Sequence, residues 1–414
     1  MKNATTFILV FFFGIYFSFA QNKTCDCKSD LDFVVEKLKA MPSYKDQIKG
    51  EKLDDFNETY KTLASKMKAP MPIEACYKLL LQQMVLINDV HCSLTFNDTY
   101  LSKEDTKDDT KIIDFKTTDT FKNHPKTTHH LQTLKDQLTQ KNEAELEGIY
   151  NYNESQKIGI YFSADKNKLI GVVLSSDLKQ WEPGEIIFEA TPKNDIKYNL
   201  YYYHPVTRIP GFVRSISFEN DRLWAYKKEG NTANAELPIK NQSDWEFKQL
   251  NSNTQYMYFG NFSSFSKKNK NAFKAFYNKM KKDLTAENVI VDLRSNGGGN
   301  KKLSDPFIKL LKKKNVYILT NCFTGSNGEQ FTIKLKKLKS AKHLGQTTRG
   351  IIAYGMNYGY NYNTPSGYFN IKPTDMDFSE YLQYEGKGVV PEYPLDFNHD
   401  WIAQTLEVIA TENN

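Results

Sequence analysis

The stretch Asn288-Val-Ile-Val-Asp-Leu-Arg-Ser-Asn-Gly-Gly-Gly-Asn300 decides how this chain is built. Val289 to Leu293 reads as a buried strand, and it runs straight into a triple-glycine turn. Three glycines permit positive φ and close approach of the backbone to other groups. Such a turn can cradle a phosphate or an oxyanion. It is not a dinucleotide fingerprint, because Gly-x-Gly-x-x-Gly is absent, and no Gly-Lys-Ser/Thr phosphate loop occurs. Taken alone, it reads equally as a flexible strand-to-helix turn.

Strand and helix patterns alternate on both sides of this stretch. Tyr256 to Phe259 and Val316 to Thr320 read as strands, whereas Asn271 to Lys281, Asp305 to Lys313 and Gly328 to Leu338 read as helices. That alternation predicts an α/β layer with crossovers and some parallel pairing over residues 251–414. The helix from Lys267 to Lys282 is basic on one face, which reads as a solvated surface opposite Phe273, Phe276 and Met280.

Upstream, the pattern changes. Residues 144–250 hold six or more short alternating segments, among them Lys157 to Phe162, Leu169 to Leu174, Tyr198 to Tyr203 and Phe218 to Tyr226. Turn chemistry such as Asp165-Lys-Asn and Glu182-Pro-Gly separates them, so an inserted antiparallel β-barrel or sandwich is expected. Trp181 and Tyr201 read as its core. Residues 97–143 are rich in Lys, Asp, Thr and His and read as an exposed polar connector with one modest helix near Thr128 to Gln140. Its His124, His129 and His130 read as solvent-facing, since no carboxylate or cysteine completes a metal set. Residues 21–96 read as an N-terminal helical cap, from helices at Asp30 to Met41, Asp54 to Met67 and Ile73 to Ile87, ending in a short strand at His91 to Phe96.

Residues 1–20 carry a basic start, an apolar run from Phe7 to Phe19 and small residues before Gln21, the pattern of a secretory signal peptide. The run is too short for a comfortable membrane span, and no later segment approaches one. Export to a periplasmic or secreted location is therefore expected. A lipoprotein anchor is not supported, because Asn22-Lys-Thr24 before Cys25 lacks lipobox residues. Disulfides are permitted in an exported chain, and five cysteines leave at least one unpaired. A link from Cys25 or Cys27 to Cys76 fits better than a strained Cys25–Cys27 ring or a Cys-x-Cys metal site.

The bulk numbers agree with this outline. A length of 414 residues accommodates two or three domains, and 25 Tyr with 27 Phe suit sheets carrying large side chains. The net charge of +6 reads as spread along the chain. With no nucleic-acid-binding fold or aromatic-basic motif beside it, no nucleic-acid partner is expected.

One further loop carries chemistry. Thr324-Gly-Ser-Asn-Gly-Glu329 puts Ser326 between a strand and a helix. A helix N-terminus offers free N–H groups and favours negative charge, so Asn327 is a candidate oxyanion donor, with Gly297 and Gly298 as candidates from the glycine turn. The bland alternative is that Ser326 is an N-cap. Thr324 occupies the first glycine position of a Gly-x-Ser-x-Gly elbow, so that motif is absent. A hydroxyl nucleophile also needs a base, which spacing alone does not select.

Four ordered segments resemble the tail-specific, or C-terminal processing, serine peptidases. They are Asn288 to Gly299, Thr324 to Glu329 (Ser-x-x-Glu), His343-Leu-Gly-Gln-Thr-Thr-Arg-Gly350 and Glu385-Gly-Lys-Gly-Val-Val-Pro-Glu392. The resemblance covers roughly residues 70–96 and 250–400. It implies an α/β catalytic core with ClpP/crotonase-like sheet-and-helix layers, carrying the helical cap and the inserted β-domain. In the branch that uses a Ser-Lys dyad, the base stands where this chain has Ile351. In the branch resembling the tricorn protease core, a histidine does this work, and Asn88-Asp-Val-His-Cys-Ser93 matches with His91. Val90 stands where that branch carries a helper serine. The resemblance thus implies Ser326 as nucleophile, His91 as base and Glu385 as the orienting carboxylate, acting on a peptide or protein substrate without cofactor or metal. The β-segments lack a Gly-Leu-Gly-type carboxylate loop, so a module other than PDZ is expected. A non-catalytic binding protein on the same scaffold is the alternative.

Overall fold

The computed structural model describes residues 23–97, 100–142, 145–238 and 243–412. The signal-peptide reading of residues 1–20 lies outside them. Among the described residues, no helix is long and apolar enough to cross a membrane.

The core is a six-stranded sheet in the order Trp245–Asn251, Thr254–Phe259, Asn288–Asp292, Asn315–Thr320, Ala341–Gly345, Tyr393–Pro394. The first pair is antiparallel and the remaining pairings are parallel. Both faces are covered, which is why Asn288–Asp292 is buried at every position and reads as a continuous apolar run. Helices Lys267–Asp283, Lys301–Leu311 and Asn327–Lys336 seat Phe273, Met280, Phe307, Leu311, Phe331 and Leu335 on one face. The C-terminal helix Trp401–Glu412 covers the other with Trp401 and Ile409, against Tyr256, Ile290, Tyr317 and Leu344.

The inserted segment is a closed eight-stranded antiparallel barrel, from Gly148–Tyr152 to Tyr226–Lys228. Two features differ from the sequence reading. Trp245–Asn251, where no strand was expected and whose residues to 250 fell in the β-domain, pairs with Thr254–Phe259 and is the edge of the core sheet. Strand alternation alone does not say which sheet a strand joins. Phe218 to Tyr226 is also broken: Asn220 and Asp221 take φ of 50° and 51°, a turn that splits it into pieces of three strands.

Residues 97–143 are more than an exposed connector. They form helices Asp109–Thr117, Asp119–Lys122 and Leu131–Thr139, and Leu101, Ile112, Phe115 and Phe121 make a small buried cluster. This cluster covers a buried ion pair of the barrel. Arg208 donates to Glu185 at 2.6 and 3.2 Å, and its guanidinium stacks 4.1 Å from Trp181 and 5.0 Å from Phe121. A buried charge pair needs such complete hydrogen bonding to be tolerated. His124 is accordingly not solvent-facing. It is 8% exposed, bonds the Ile186 carbonyl through Nε2 at 2.8 Å and packs on Tyr203. Scattered aromatics in a polar stretch were the missed signal.

The cap holds helices Cys27–Ala40, Glu51–Lys66 and Ile73–Met84, and Cys27 is disulfide-bonded to Cys76. Cys25 is left as a buried free thiol beside them. The cap shares one apolar cluster with the barrel interior, in which Tyr77 packs near Tyr201. After the cap, His91 sits in a loop just ahead of the strand Ser93–Phe96 rather than within it, so the expected His-bearing strand is two residues shorter. Asp89 folds that loop by accepting from the Cys92 N–H at 3.1 Å and the Thr374 hydroxyl at 2.6 Å.

Candidate active site

Ser326 lies where the core strand Asn315–Thr320 gives way to the helix Asn327–Lys336. An ordinary N-cap residue has negative φ and extended ψ. Ser326 instead has φ 53° and ψ −126°. A positive φ at a non-glycine residue stores strain of about 1–3 kcal/mol and is held only where neighbours over-determine it. The neighbours are specific. The Ser326 N–H donates to the Ile351 carbonyl at 2.8 Å and to Glu329 Oε2 at 3.1 Å. The Gly325 N–H donates to the Asn296 carbonyl at 2.8 Å.

The glycine turn is shaped around this serine. Gly298 has φ +96°, and a Cβ there would stand 2.6 Å from Ser326 Cβ and 2.8 Å from Asn327 N. Gly299, at φ +132°, lies against the Phe262 backbone. Of the three expected oxyanion donors, Gly298 is already engaged, because its N–H donates to Asn296 Oδ1 at 2.8 Å. The N–H groups of Asn327 and Gly297 meet no protein acceptor among the described residues. The buried Asn327 side chain bonds Ser304, which fixes the first turn of the helix.

Two buried carboxylates organise the rest. Glu329 accepts from the Gly350 N–H at 2.7 Å, the Ile351 N–H at 2.9 Å and the Thr348 hydroxyl, as well as from Ser326. Glu385 accepts from the Ile352 and Ala353 N–H groups, both at 2.8 Å, and from the Val90 N–H at 2.7 Å. Four consecutive amides, 350 to 353, are therefore split between the carboxylate that holds the serine and the one that holds the histidine loop. This strip connects the loop before His91 to the loop of Ser326 through two carboxylates. Burial pushes the Glu385 carboxyl up to about 7, against three N–H bonds that pull it down. Burial also raises Glu329.

Glu385 does not touch the imidazole. Both its oxygens are occupied by main-chain donors, one of them the N–H of Val90, the residue before His91. The His91 ring is desolvated, which drives its pKa down to about 4; Asp89 opposes that shift and Arg349 adds to it. It is therefore neutral at pH 7, the form a general base requires. Its Nδ1 is buried without a hydrogen-bond partner, and no hydrogen bond joins the ring to Ser326 among the described residues.

The barrel supplies groups that sequence reasoning missed. Arg349 donates through its N–H to the Thr324 carbonyl at 2.8 Å, and its guanidinium reaches the Arg214 carbonyl at 2.9 Å. Arg214 in turn donates to the Ile87 carbonyl at 2.8 Å and the Cys92 carbonyl at 3.2 Å, on either side of His91. Lys197 is buried, donates to Ser217 at 2.7 Å and the Thr348 carbonyl at 2.8 Å, and is lowered by desolvation to about 8. The available signal was a set of basic residues inside otherwise apolar strands.

No family model and no curated protein matches this sequence. Among solved structures it is similar to mature CPAF, at 11% identity over 93% of this chain and 96% of that one, with a TM-score of 0.44. It is similar to the tricorn protease at 12% identity over 93% of this chain and 37% of that one, TM-score 0.43. It is similar also to a photosystem II D1 C-terminal processing protease at 14% identity, 89% and 94% coverage and TM-score 0.33. Likeness at this level carries no argument about residues, so the functional reading stands on the chain's own geometry.

Proposed function

We infer that this chain is an exported serine peptidase of the tail-specific type, in the branch that pairs its serine with a histidine. One observation carries the reading: a half-buried serine at positive φ, with a glycine pressed against its Cβ and an unengaged N–H following it. A structural N-cap needs none of these. Ser326 Oγ attacks a peptide carbonyl, and His91 takes the proton and returns it to the leaving amine. The Asn327 and Gly297 N–H groups receive the oxyanion; one such donor is typically worth ~10²–10³ in turnover. Glu385 and Glu329 act as positioning residues through the shared amide strip. Catalytic hydrogen bonds are commonly long in the free enzyme and tighten when substrate binds, which is the state in which His91 meets Ser326. Substrate is read as polypeptide, added as a strand beside the core sheet. The disulfide Cys27–Cys76 fits an oxidising compartment.

The alternative, a non-catalytic peptide-binding protein, draws on the partnerless Nδ1 of His91. A fluorophosphonate serine label separates the two. Wild type should label, while Ser326→Ala should not and His91→Ala should label at least ~10²-fold more slowly. Equal labelling of all three, or none of any, would overturn Ser326 as the nucleophile and support a binding protein or a different site.

A further inference from the structure

The +6 net charge is not spread along the chain in space. Residues 267–314 hold fourteen basic and four acidic side chains, a net +10, so the remainder is net acidic. The fold gathers this excess onto one surface. Helices Lys267–Asp283 and Lys301–Leu311 turn their apolar sides to the same sheet face, which leaves their basic sides in one outer layer. All twelve lysines from Lys267 to Lys313 are exposed, and none is paired with a carboxylate among the described residues. At the edge of this layer, just before the first helix, Phe265 is 98% exposed. This phenyl ring stands beside Lys267 and Lys268, so an apolar group and the basic layer are presented together.

We propose that this face docks the protein on an anionic lipid bilayer, with Phe265 entering the interface and the lysines facing the headgroups. Lysines act as diffuse, strongly hydrated point charges rather than as forked phosphate readers, so the surface suits a field of headgroups more than one defined phosphate. The exposed ring favours a partner with an apolar interior over a soluble polyanion. The docked edge adjoins the candidate site: the Phe262 N–H donates to the Gly298 carbonyl at 2.8 Å, and the Asn300 N–H to the Phe262 carbonyl at 2.8 Å. Docking would therefore hold the glycine turn near the membrane plane. The inference is independent of whether Ser326 is catalytic.

The test is co-sedimentation of the full chain with phosphatidylcholine vesicles, with and without phosphatidylglycerol, at low and high salt. The apolar run near the N-terminus is common to every variant, so differences between variants report this face alone. Wild type should bind the phosphatidylglycerol vesicles more tightly, and less so at high salt. Each lysine removed should weaken binding about fivefold, so Lys267→Glu/Lys268→Glu/Lys270→Glu should abolish the preference. Phe265→Ala should weaken vesicle binding but leave heparin binding unchanged. The proposal fails if the triple variant keeps the wild-type preference, or if Phe265→Ala binds vesicles like wild type, which would mark a polyanion-binding face instead. All these side chains are exposed, and an unchanged melting temperature checks that the variants fold.

Discussion

Replacing Gly298 by alanine tests the site's geometry with a single methyl group. The new Cβ would stand 2.6 Å from Ser326 Cβ and 2.8 Å from Asn327 N. Carbon atoms in contact prefer roughly 3.5–4.0 Å, so about 1 Å of displacement is required, and the atoms available to move are the reactive ones. A misplacement of about 1 Å costs on the order of 10²-fold in rate. The positive φ of +96° adds a conformational penalty of about 1–2 kcal/mol to the folded state. Gly297→Ala is the internal control. Its Cβ would meet no heavy atom within 4 Å, its φ is not in the positive region, and its N–H is retained. That variant should stay within ~0.5 kcal/mol of wild type and label at a similar rate. The assay is the rate of serine labelling, with the melting temperature measured on the same samples. If folded Gly298→Ala labels within about threefold of wild type, where ~10²-fold slowing is expected, the glycine turn does not frame a reacting serine. If Gly297→Ala is equally slowed, the effect belongs to the turn's flexibility rather than to contact with Ser326.

Three further outcomes follow from the same structure. Because burial holds His91 near 4, below its ordinary 6.5, the labelling rate should persist well below pH 6.5 and fall only toward pH 4; an acid limb at 6.5 or above would contradict a desolvated ring. The unfolded chain binds that proton first as pH falls, so His91 also lowers stability as pH falls from 6.5 to about 4, whereas Glu385 lowers it as pH rises from 4.5 to about 7. Glu385→Gln keeps one acceptor oxygen and leaves at least one of the Val90, Ile352 and Ala353 N–H groups unpaired, costing about 1–3 kcal/mol, with slower labelling from a displaced His91; unchanged melting and labelling would remove its positioning role. Cutting the Cys27–Cys76 bond by Cys27→Ala/Cys76→Ala frees a loop of 49 residues, worth about 4 kcal/mol on loop-closure entropy, and a melting temperature equal to wild type would show the cap to be fixed by packing alone.

The sequence made local chemistry legible and long-range placement opaque. The apolar run Val289 to Leu293 and the glycines after it read as a buried strand, and the structure places Asn288–Asp292 in the sheet interior, buried at every position. The serine loop was legible as a helix start but ambiguous in role, because the deciding quantity, a φ of 53°, is imposed by Ile351 and Glu329. The strand Trp245–Asn251, whose residues up to 250 fall within the expected β-domain, pairs with Thr254–Phe259 of the core sheet, a partner that local pattern does not reveal. The barrel's part in the site was invisible, since Arg214 and Lys197 act through contacts more than a hundred residues away in sequence. His124 was misread for the same reason: its burial comes from the Ile186 carbonyl and Tyr203, not from its own polar neighbours.

The amide strip from Gly350 to Ala353 gives the site a mechanical logic that neither the serine nor the histidine loop has alone. The Ile351 and Ile352 amides belong to neighbouring peptide units that meet at the Ile351 Cα, so their N–H groups are one residue apart, with the φ and ψ of Ile351 between them. The first donates to the carboxylate beside Ser326 and the second to the carboxylate beside Val90. The two loops are therefore tied to adjacent residues of one backbone segment, each through its own buried carboxylate. Arg349, next in the chain, extends the contacts to the barrel, whose Arg214 donates to the Ile87 and Cys92 carbonyls on either side of His91 in sequence. The histidine loop is thus held both by Glu385, at Val90, and by the barrel's Arg214, at Ile87 and Cys92. On this argument the barrel is a wall of the site rather than an appended module. Loosening the Arg349–Arg214 contact should then change the His91 environment while leaving the Ser326 backbone, fixed by Glu329, where it is.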